Sequence, residues 1–138
     1  VRLAPVITRL QAQVPALRAI YGALEAAVSP SYPVAFVYPL GADAAPSALL
    51  GTHDQRIVER FGVELRLTQA AAAATGGPAQ DALEDLRDAV QIALAGWQAE
   101  LGAKPIDYVG GSLLGFEGAI AVWREEFTTE RYLRIITP

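Results

Sequence analysis

The residues that could do chemistry are few. The single histidine, His53, is followed directly by Asp54 and lies within reach of Asp43 if the intervening chain turns back. An imidazole held by a carboxylate is the usual general base. No nucleophile motif and no second metal ligand accompanies it, so a turn residue at the mouth of a strand is the simpler reading. Asp81, Glu84, Asp85 and Asp88 recur at spacings of three and four. On a helix they share a side, where carboxylates could gather a divalent cation or repel a polyanion. A solvated helix face accounts for them more simply, and no EF-hand loop is present. Arg56, Arg60 and Arg66 fall in an alternating segment, where they could meet acids of a neighbouring subunit or DNA phosphates. Ordinary solvent exposure is the default for such a set. Gly76-Gly77-Pro78 precedes a helical pattern, and helix N-termini bind phosphate. Neither G-x-G-x-x-G nor a Walker lysine follows, so it reads as a loop. Gly110, Gly111, Gly115 and Gly118 read as sheet geometry, and Trp97 and Trp123 as core anchors.

Composition narrows the field further. The chain of 138 residues has no cysteine and one histidine. That excludes disulfides, thiolate metal sites and a cysteine nucleophile, and also a two-histidine metal site within one chain. No catalytic constellation and no Cys or His metal site within one chain is therefore expected. Fifteen acidic residues against 11 basic give a formal net charge of −4, which argues against a dedicated nucleic-acid binder. Hydrophobic residues make up 52% and charged residues 19%. This excludes bulk disorder and suggests apolar surface covered by a partner. No apolar run reaches the ~20 residues needed to span a bilayer, and no signal-peptide pattern opens the chain, so no membrane partner is expected.

The elements that would position these residues follow from periodicity. Ile7, Leu10, Val14, Leu17, Tyr21, Leu24 and Val28 form one apolar stripe at helical spacing, interrupted by Pro15. This predicts a kinked helix, or two helices over 4–13 and 16–28. Val34–Tyr38 reads as a strand between prolines, followed by a long loop from Leu40 to Thr52 that carries Leu49 and Leu50. From Gln55 to Gln69 the chain alternates. Ile57, Phe61, Val63, Leu65 and Leu67 fall on one face and Arg60, Glu64 and Arg66 on the other, with Gly62 a candidate bulge. Leu83, Leu86, Val90, Leu94 and Trp97 define a helix over 79–96, with acids in its first turns and Gly96 at its stop. Two strands follow, 106–116 and 118–127, joined by a tight turn at Gly115–Gly118. The tail from Thr128 offers a last short strand. The expected fold is a single α+β domain over 1–138. Two helices pack on a mostly antiparallel sheet of about four strands, in the order α-β-β-α-β-β with a long loop after the first strand.

With the elements in this order, Asp81-x-Leu83-x-x-Leu86-Arg87-x-x-Val90-x-x-Ala93-Leu94-x-Gly96-Trp97 resembles the second helix of the tail terminator proteins of long-tailed phages. Tyr108-x-Gly110-Gly111-x-Leu113 and Ala121-x-Trp123-x-x-x-Phe127-x-Thr129 resemble the strands that follow it. Leu10-x-x-x-Val14-Pro15-x-Leu17 and Phe61-Gly62-Val63 fit the same layout. The resemblance implies a non-enzymatic virion protein without cofactor, assembled in the host cytoplasm. It implies a ring, usually a hexamer, at the head-proximal end of the tail tube. There the ring stops tube polymerisation and presents a surface for head joining. The implied partners are further copies of the chain, the tail tube protein, a head-completion or neck protein, and DNA that passes through the lumen without specific binding. A closed ring requires two different, complementary faces on each subunit. The candidate interface residues are Leu49, Leu50, Arg56, Arg60, Arg66, Asp81, Glu84, Asp85 and Asp88. The alternatives are another neck or tail-completion subunit, or, from a different class, a small cytosolic ligand-binding module or accessory enzyme with a pocket near His53.

Overall fold

The computed structural model describes residues 1–22, 31–47, 52–68 and 79–136. Leu49, Leu50 and the Gly76-Gly77-Pro78 turn lie outside them. The elements in chain order are α1 (Ala4–Gln13), β1 (Ala19–Gly22), β2 (Val34–Ala44), β3 (Thr52–Thr68), α2 (Ala79–Leu94), β4 (Asp107–Glu117) and β5 (Ile120–Ile136). The five strands form one sheet in the order β1-β2-β3-β5-β4. β1 runs parallel to β2 and every other pair is antiparallel. The fold is α+β as expected, but with five strands and a mixed sheet instead of about four.

Three departures from the expected pattern have physical causes. The helical stripe ends with α1. Val14 closes the last turn on the Leu10 carbonyl, and Pro15, lacking an N–H, stops the helix there. Beyond it, residues 19–22 form β1, not a second helix: Ile20 pairs with Ala35 and Tyr21 with Phe36, their rings 5.5 Å apart. The rest of the predicted helix, 23–28, lies outside the described residues.

The second departure is in the predicted loop from Leu40 to Thr52. Its first part is strand: β2 continues to Ala44, paired with β3 as far as Ile57, across a register shift between Pro39 and Gly41. A proline is tolerated at such a bulge. Third, β5 runs unbroken to Ile136, so the tail is the end of this strand and not a separate one. The β4–β5 turn falls at Gly118–Ala119, with Gly118 at φ 62°.

β3 and β5 pair along 17 residues each and form the spine of the sheet. The odd-numbered side chains of both point to one face, as period two requires. There Phe61, Val63, Leu65 and Phe127 are buried against Val6 and Leu10 of α1 and Leu86, Val90 and Leu94 of α2. Phe61 and Phe127 stack with centroids 5.5 Å apart, and each fully buried ring contributes about 1.5–3 kcal/mol. Arg9 ties the helices together. Its Nε donates to the Ala93 carbonyl at 2.7 Å, one of the acceptors a helix C-terminus leaves unpaired, and its guanidinium lies over Trp97. Gly96, at φ 80°, turns the chain out of α2 as predicted. The even-numbered face of the sheet lies opposite both helices and carries the arginines of β3.

Candidate assembly interface

Two polar systems lie on opposite faces of the sheet. The first is buried under α2. The core-facing register of β5 reads Ala121, Trp123, Glu125, Phe127, so it places a carboxylate opposite Val63. Glu125 is fully buried. Trp123 Nε1 donates to its Oε1 at 2.5 Å, Arg87 Nε at 3.1 Å and Tyr108 OH at 3.2 Å, while Gln91 Nε2 donates to Oε2 at 2.6 Å. A buried charge is tolerable only when paired and hydrogen-bonded, and here four donors from α2, β4 and β5 converge on one group. Arg87 also lies over the Trp123 ring and reaches Glu84. Burial alone would lower the pKa of its guanidinium; the hydrogen bonds to Tyr108 and Glu125 outweigh it, so the pKa rises and Arg87 stays charged. Burial pushes the Tyr108 phenol up as well. Gly111 faces Glu125 across the β4–β5 pair, and a Cβ there would sit 2.1 Å from Oε1. The second glycine of the Gly110-Gly111 pair therefore makes room for the carboxylate, while the bulge lies one residue earlier, between Tyr108 and Gly110.

The second system is the even-numbered face. Arg56, Arg60 and Arg66 share it, as the alternation of β3 predicts, and each faces a carboxylate of this chain. Arg66 bonds Glu64 at 2.8 Å and Glu117 at 3.3 Å and lies over the Phe36 ring. Arg60 lies 3.4 Å from Asp43, and Arg56 lies 3.4 Å from Glu130. Tyr38 adds a hydrogen bond to Glu64 at 3.0 Å. Gly62, read in sequence as a bulge, keeps its register with both neighbouring strands. Its missing side chain instead leaves space for Arg124 and Tyr38, whose atoms come within 3.1–3.4 Å of a Cβ built there.

Asp81, Glu84, Asp85 and Asp88 are exposed along α2, on the helical side of the sheet. The arginine set and the acidic set thus occupy opposite sides of the molecule. Among the described residues no group of three or more His, Asp or Glu side chains is placed to hold a metal ion. His53 bonds the side chain of Gln55 at 2.5 Å, whereas Asp54 pairs with Arg134 and Asp43 with Arg60, so neither acid backs the imidazole. No helix among the described residues is long and apolar enough to cross a membrane.

Sequence reasoning singled out Trp123 but not Glu125. The available signal was an acid sitting in register between Trp123 and Phe127, on a face that is otherwise apolar. A groove of about 590 Å³ opens beside this cluster, lined by Leu83, Leu113, Phe116, Ala121 and Trp123.

Among the described residues of this two-layer domain, the dense polar networks are built of ion pairs and their hydrogen bonds. The phage tail terminator protein family matches residues 2–137. The chain belongs to that family, and so to the structural proteins of phage tails and virions. A solved chain from a structure titled "Virion of native gene transfer agent (GTA) particle" has a similar fold, with a TM-score of 0.60 at 16% identity over 91% of this chain and 90% of that one. No curated protein matches the sequence.

Proposed function

We propose that this protein forms a ring, of six copies as is usual in the family, on the head-proximal end of a tail tube. The ring ends tube growth and gives the neck or head-completion protein its docking surface. The observation that carries this reading is the family match, which spans nearly the whole chain. The opposed arginine and acidic faces support it, because a ring closes only through two unlike surfaces. The residues proposed for subunit and tube contacts are Arg56, Arg60 and Arg66 on one side and Asp81, Glu84, Asp85 and Asp88 on the other. Exposed acids toward the lumen would let DNA pass without adhering, since its backbone is a dense line of negative charge. Deleting the gene tests the reading. The expected outcome, seen by electron microscopy, is headless tails with tubes of uncontrolled length and free, filled heads. Tubes of normal length that still fail to join heads would identify a neck subunit instead.

A further inference from the structure

We draw no further inference here: the strongest candidate, the apolar groove at the outermost strand of the sheet, where Leu113 and Phe116 of β4 stand exposed beside Leu83 and Trp123, carries none, because nothing in the structure shows what covers it.

Discussion

Glu125 and Glu64 are glutamates on neighbouring strands, and both bond an arginine and a tyrosine, yet they do different work. Glu125 lies under a helix, is fully buried and satisfies donors from three elements. Glu64 lies on the opposite face and is also buried, at 9% exposed, but its partner Arg66 is partly exposed and divides itself between Glu64 and the exposed Glu117. Removing one member of a buried pair strands a charge and costs several kcal/mol. Removing Arg66 should cost less than that, because Arg66 is itself partly exposed and Tyr38 still donates to Glu64. The comparison teaches that the buried network fixes how α2 sits on the sheet, while the outer face remains free for recognition.

The largest expected effect follows. Glu125→Ala leaves Arg87, Gln91 and the Trp123 indole without their acceptor, and should lower unfolding free energy by about 3–5 kcal/mol in urea titrations. Gly111→Ala comes next. Its Cβ would sit 2.1 Å from Glu125 Oε1 and 2.8 Å from Trp123 Nε1, and forcing such a contact costs about 1–3 kcal/mol. Gly110→Ala is the control. Nothing lies within 4 Å of its Cβ position, so stability should stay within about 0.5 kcal/mol. Equal effects at the two glycines would show that Gly111 is not there to admit the carboxylate.

Much of this was legible in the residues. The alternation of Phe61, Val63, Leu65 and Leu67 identified β3 and its inner face, and Leu86, Val90 and Leu94 identified the buried stripe of α2. Both are long elements with one apolar side, where period alone suffices. β1 was hidden because Leu17 and Tyr21 continue the helical spacing of α1, and four residues are too few to show a period of their own. The outer half of β2 was hidden for another reason. Gly41, Ala42, Asp43 and Ala44 have little strand propensity, and they extend because β3 offers them a long partner. The arginine face was readable as a face, but its carboxylate partners were not, since Glu117 and Glu130 reach it from strands distant in sequence. Glu125 is the sharpest omission. A charged residue in a core register says that a partner exists but not which one, and Arg87 is brought to it only by the packing of α2.

On the outer face the two measurements should part company. Arg66→Ala should cost about 1–2 kcal/mol in stability, since Glu64 is buried but keeps its hydrogen bond from Tyr38. If this face meets a neighbour or the tube, the same change should markedly reduce incorporation into particles, read by immunoblot of purified virions. Glu125→Ala should show the reverse order, with a large loss of stability and loss of incorporation only as a consequence. Arg66→Ala particles that incorporate at wild-type level would remove Arg66 from the interface.

The smallest effect lies in alkaline solution. Burial raises the pKa of both Tyr108 in the inner network and Tyr38 on the outer face. A group whose folded-state pKa lies above its unfolded value contributes stability that is fully present below the unfolded pKa and lost as pH rises through the folded one. For tyrosine the loss begins near pH 10, since the unfolded chain releases its phenolic protons first. Thermal melting between pH 7 and 11 should therefore show stability level at first and falling above about pH 10. Tyr108→Phe should flatten part of that fall, because the ring stays against Phe127, 5.4 Å between centroids, while the ionisable group is gone. At neutral pH the same variant loses one donor to Glu125 and should be less stable by about 1 kcal/mol. Its curve and the wild-type curve should then converge as the pH rises. Parallel curves would mean that the Tyr108 proton is not held by the buried network and that the alkaline loss arises elsewhere, with Tyr38 the next variant to compare.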